Sequence, residues 1–225
     1  MSTLRALRTL IAKDLRHEWR SREVLSATVF FAIIAMTVIN FSFEPGQFAV
    51  GQVGAGILWT SFLFAAMLGM NRLFQAENEK GGLEGLMLCP VDRPTLYLAK
   101  CASLFLLLSA TVAAALFLFV LFFNVRLTGG MIPLLAVSLL GTLGLAALGT
   151  TFAAMATKTR AREVLLPLLL VPIALPLLIA AVKCTGAVLR GDDLASVGAW
   201  LQLLLAFDLI FLAAGYVTFP AILEE

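Results

Sequence analysis

Residues 102–123 read ASLFLLLSATVAAALFLFVLFF, 22 consecutive positions without a charge. At about 1.5 Å of rise per residue, roughly 20 apolar residues cross the ~30 Å hydrocarbon layer of a bilayer as a helix. The run is continuous rather than alternating, which excludes a strand of a membrane barrel, and lipid leaves no third way to satisfy the backbone. Working outward, similar apolar runs occupy Val24–Phe43, Val53–Gly69, Met131–Ala156, Val164–Val182 and Trp200–Ile222. The expected fold is therefore an all-α membrane protein of six transmembrane helices forming one domain over residues 1–225, with the second and third helices emerging from lipid as 53–74 and 96–123. A hydrophobic fraction of 61% and a mean hydropathy of +0.99 lie outside the soluble range and agree. The first run is too long, and lacks the following small-residue cleavage site, to be a signal peptide.

The basic residues orient the bundle. With the N-terminus in the cytoplasm, Arg5, Arg8, Lys13, Arg16, Arg20, Arg22, Arg72, Lys80, Arg93, Lys100, Lys158, Arg160 and Arg162 fall on one side, leaving only Arg126, Lys183 and Arg190 opposite. Thirteen against three is a positive-inside asymmetry, and six spans return the C-terminus to the cytoplasm. A multi-pass membrane protein with both termini cytoplasmic is expected, in a bacterial inner membrane or that of an organelle of bacterial descent.

Residues 1–23 are helical in period, with Leu4, Leu7, Leu10, Ile11, Leu15 and Trp19 on one face and Arg5, Lys13, Arg16 and Arg20 opposite. Such a helix suits the headgroup plane, but Asp14 and Glu18 interrupt the apolar face. It either fixes orientation alone or forms a membrane-parallel elbow that touches a partner. The last outer connection, Lys183 to Ala199, is long enough for one or two short helices, with Gly186, Gly191 and Gly198 as turns.

Inside the spans, Gly141, Gly144, Ala147, Gly149 and Ala153 allow close helix approach. Pro167, Pro172 and Pro176 each remove a backbone donor, so the fifth span should be kinked or broken, as a pathway or hinge element or as plain kinked packing. Asp208 is stranded in LLLAFDLIFLAAGY. It binds a proton or cation, pairs with another subunit, or is neutral and hydrogen-bonded.

Chemistry-bearing motifs are scarce. There is no phosphate loop, since Lys80 precedes the glycines of EKGGLEG, and no nucleophile elbow or zinc-protease helix. One histidine, His17, and three dispersed cysteines, Cys89, Cys101 and Cys184, argue against a metal site, covalent haem attachment, a disulfide framework or a catalytic role. Nothing points to nucleic acid.

The segment FQAENEKGGLEGLMLCPVDRP, Phe74–Pro94, is a charged, helix-shaped insertion between two spans. Arg72 and Glu77 position the loop and Gly81 and Gly82 end the preceding helix. Leu83, Leu86 and Met87 form an apolar ridge, Pro90 terminates it, and Asp92 with Pro94 restarts a helix. A short surface helix of this kind is a helix-in-groove ligand for a soluble partner, with Glu84, Leu86, Met87, Pro90 and Arg93 as docking residues.

KDLRHEWRSREVL, Lys13–Leu25, and the stretch from Gly56 to Lys100, which holds GMNRLFQAENEKGGLEGLMLCPVDRPTLYLAK, resemble CcmB, the membrane subunit of the cytochrome c maturation ABC complex. The proline pattern at 167–176 matches as well, and Asn71 departs from the acid expected before Arg72. The resemblance implies an ABC-2 type permease with an elbow helix and, at residues 75–94, a cytoplasmic coupling helix. It also implies a homodimer, a separate ATPase subunit that holds ATP, haem-handling membrane subunits of the CcmC and CcmD type, and a periplasmic haem chaperone of the CcmE type. No cofactor is expected on this chain itself. Haem is then either exported or handled by partners while ATP turnover releases the loaded chaperone; the lone His17 disfavours a haem site within the chain. An ABC-2 exporter of another amphiphile and a passive scaffold for haem-handling subunits are the alternatives.

Overall fold

The computed structural model describes residues 3–42, 50–78, 92–123, 130–156 and 162–224. Its helices are α1 (Thr3–Ser21), α2 (Glu23–Phe41), α3 (Val50–Asn78), α4 (Arg93–Phe123), α5 (Met131–Ala156), α6 (Arg162–Arg190) and α7 (Gly198–Glu224), with a 3-10 turn at Leu194–Val197 between the last two. There is no strand among the described residues. Helices α3 to α7 are each long and apolar enough to cross a membrane, and α1 and α2, bent by 62° at the break between them, supply a sixth candidate.

Helix α5 is the hub, packing against α3, α4, α6 and α7, while α1 packs mainly on α4 and α2 on both α3 and α4. The sequence GLAALGT, Gly144–Thr150, is buried without interruption, because small side chains let neighbours close in from every direction. A Cβ on Gly141 would overlap the Trp59 ring, and one on Gly149 would overlap Met70. Trp59 also donates from Nε1 to Thr185 Oγ1 at 2.9 Å, tying α3 to α6. The outer surface is as apolar as the core: Phe117, Ile132 and Val217 are 70%, 82% and 73% exposed. In water such faces would be a liability; against lipid tails they are at home.

Several hydroxyls within the bundle are satisfied locally, as lipid favours. Thr111, Ser138, Thr142 and Thr150 donate to the carbonyls of Leu107, Leu134, Ser138 and Ala146 one turn earlier. The hydroxyls of Thr28 and Thr111 also meet at 3.2 Å between α2 and α4.

Two expectations are corrected. The fifth span does not end at Val182: α6 runs on to Arg190, so Lys183 and Gly186 are helical and the outer connection is only residues 191–197. Burial of Cys184, Thr185, Ala187 and Val188 overrides the weak helix propensity of Gly186. The true stop is Gly191 at φ +80°, where Gly191 N–H donates to Val188 O and Asp192 N–H to Ala187 O, both orphan carbonyls of the last turn. Of the kinked and broken readings of α6, the broken one falls, since one helix continues through Pro167, Pro172 and Pro176. Pro172 and Pro176 stand on its exposed side and Pro167 is half-buried, so the lost bonds lie away from the core.

Candidate functional site

The two acids of α1 are built into the protein, while its basic residues Arg5, Lys13, Arg16 and Arg20 are exposed. Asp14 and Glu18 are one turn apart, and both are buried together with Ala6, while Leu15 is 37% and Trp19 79% exposed. Leu15 and Trp19, on the face expected to suit the headgroup plane, therefore turn outward, while Leu10 of the same face packs on the core and the two acids turn inward. Each acid has a specific partner. Asp14 Oδ2 accepts from Lys100 Nζ at 2.9 Å, with side-chain exposures of 7% and 4%. Lys100 is thus no loop residue: it sits two turns inside α4.

Glu18 performs the other task. The chain turns from α1 into α2 at Arg22, a non-glycine residue at φ +51°, and Arg22 offers no side-chain cap. The first N–H groups of α2 would otherwise lack partners. Glu18 Oε1 accepts from Leu25 N–H at 2.7 Å, placing a carboxylate at the positive end of α2. Replacing Glu18 with Ala should therefore weaken the bend by about 1–2 kcal/mol, while Glu18→Gln retains most of it; faster amide exchange at Leu25 in the alanine variant alone is the expected readout.

Of the residues assigned to the loop between the second and third spans, Gly81, Gly82, Glu84, Leu86, Met87 and Pro90 lie outside the described residues. Arg72 and Glu77 belong to α3, which continues to Asn78. Arg93 opens α4, and the carbonyl of Asp92 accepts the first-turn N–H of Leu96 at 3.2 Å. Seven residues, two turns, separate the start of α4 from Lys100 and the buried ion pair.

A second polar cluster lies where α4, α5 and α7 meet. Tyr97 Oη is 3.3 Å from the carbonyls of both Ala147 and Phe211 and donates its proton to one of them. The phenol fills the place of a missing side chain, since a Cβ on Gly215 would overlap it. Two turns before Gly215 on α7, Asp208 is 3% exposed and packs against Gly144, where a Cβ would come within 2.5 Å of Oδ1. Tyr97 and the Asp14–Lys100 pair escaped the sequence reading. The signal was faint but present: acids four residues apart in α1, and a lysine closing a loop immediately before an uncharged span.

Long helices that are apolar inside and out, with a few buried and specifically paired polar residues, define a multi-pass membrane protein without catalytic constellation among the described residues. The chain belongs to the CcmB protein family, whose model matches residues 5–225. It is similar to heme exporter protein B of Bradyrhizobium diazoefficiens, 31% identical over 215 residues that cover 93% of each chain. The protein of the same name from Paracoccus denitrificans is 30% identical over 92% of this chain and 93% of its own, and that from Pseudomonas aeruginosa 31% over 89% of both.

Proposed function

We propose that this chain is the permease subunit of an inner-membrane ABC transporter for cytochrome c maturation, coupling ATP hydrolysis on a separate ATPase subunit to haem export or to release of a haem-loaded periplasmic chaperone. The match of the CcmB family model to residues 5–225 carries this reading. In it, residues 75–94 form the coupling element, with Glu84, Leu86, Met87, Pro90 and Arg93 docking the ATPase and Arg72, Glu77, Gly81 and Gly82 positioning it. Two copies of the chain face two ATPase subunits, beside haem-handling membrane subunits. The Asp14–Lys100 pair supports a mechanical role: a push on the start of α4 is resisted by α1 through a buried contact 2.9 Å long.

Chaperone release is favoured over passage of haem through this chain. The single histidine, His17, is exposed on α1, so one chain offers no pair of axial imidazoles within the bundle. Replacing Leu86 and Met87 together by Asp should abolish co-purification of the ATPase while leaving the permease inserted, because two charges on the apolar ridge remove its docking surface. Intact co-purification would overturn the docking assignment. Comparing wild-type and catalytically dead ATPase for chaperone retained on the purified complex separates the two outputs: retention only with the dead ATPase supports release, and equal retention overturns it.

A further inference from the structure

Asp208 is buried in the middle of α7, and neither carboxyl oxygen has a hydrogen-bond partner among the described residues. Among the described residues the hydroxyls of Ser61 and Ser109 share this condition, but Asp208 is the one such group able to carry a charge. Its surroundings are shaped to fit it: Gly144, at the centre of α5, leaves a hollow for Oδ1, and Leu177, midway along α6, closes the hollow from the other side. An ionised carboxylate there would have neither water nor a counter-charge, a cost of several kcal/mol.

We propose that Asp208 is a proton-binding site at the midplane of the bundle, occupied while α5 and α7 are packed together, and that loss of the proton drives the two helices apart. A proton is the ligand the site can take. A calcium or magnesium ion needs about six oxygen ligands, and the hollow is walled by a glycine and a leucine. The groups facing Asp208 leave its charge uncompensated. Helix α5 carries no titratable residue, and the 3-10 turn carries none. Helix α6 has none between Glu163 and Lys183, and Lys183 is exposed. From α4 come Tyr97, which donates to a backbone carbonyl, and the buried thiol of Cys101. Neither of these is a cation. On α7 itself, Tyr216 is exposed on a different face.

Infrared spectroscopy of the purified chain in lipid vesicles tests this. At neutral pH the wild-type minus Asp208→Asn difference should contain the carbonyl band of a protonated carboxylic acid. That band should shift in wild-type protein made with aspartate carbon-13 labelled at the side-chain carboxyl, an assignment that does not depend on the variant folding. Raising the pH should remove the band and, in step, increase amide exchange in α7 around Asp208 several-fold after correction for intrinsic base catalysis; Asp208→Asn should show no such rise. Carboxylate bands alone for the labelled aspartates at neutral pH would overturn the proposal, as would equal pH dependence of exchange in wild type and Asp208→Asn. None of these readouts involves the ATPase, so the result is independent of the coupling role proposed above.

Discussion

Replacing Lys100 by Ala should destabilise the folded chain by about 3–5 kcal/mol, among the largest effects of any single charge removal here. The reason is the environment of its partner. Asp14 is buried, its Oδ2 is 2.9 Å from Lys100 Nζ, and removal of the ammonium leaves a carboxylate whose remaining ion pair is a 3.5 Å contact with half-exposed Lys13. Asp14→Ala should also destabilise the chain, by removing the 2.9 Å carboxylate partner of a buried lysine. The paired change Asp14→Leu with Lys100→Met should recover most of the loss, since apolar groups of similar volume repay no desolvation. Thermal unfolding of the detergent-purified chain measures all three. Single-variant losses under about 1 kcal/mol, the range of solvent-exposed pairs, would show that water reaches the contact.

The second large effect is expected from two glycines of α3 and α5 that look alike in sequence. Gly141→Leu should cost at least about 3 kcal/mol: overpacking strains neighbours by 1–3 kcal/mol, and moving Trp59 also breaks its hydrogen bond. The clash is direct, because even a Cβ at Gly141 overlaps the indole whose Nε1 donates to Thr185 at 2.9 Å. Gly56→Leu should instead be neutral or mildly stabilising, by up to about 1 kcal/mol of helix propensity, as nothing lies within 4 Å of a Cβ there. Unfolding midpoints that fall equally for both variants would contradict the packing described for α5.

Much of the architecture is legible in residue order. Each apolar run became a helix, the second span extends to Asn78 as its water-seeking tail suggests, and α4 starts beside Asp92. What misled was local chemistry. Gly186 reads as a turn and the three prolines of α6 as a break, yet α6 runs unbroken from Arg162 to Arg190. Helix propensity and single lost hydrogen bonds amount to about 1–3 kcal/mol each. A helix held along its length by α3, α5 and α7 absorbs them.

Sequence by itself determined that this chain forms long membrane helices, because the length of an uncharged run and the need to satisfy every backbone group in lipid are properties of the chain alone. Which faces meet was a tertiary decision. In water, periodic apolar positions announce the buried side of a helix; in lipid both sides are apolar, as exposed Phe117 and buried Phe119 on opposite faces of α4 illustrate. The same holds at α1, where the acids Asp14 and Glu18 face inward and Trp19 outward. Contact there follows from where a rare charge finds its counterpart and where a missing side chain leaves room, and both depend on residues roughly 60 to 90 positions apart: Asp14 with Lys100, Asp208 with Gly144.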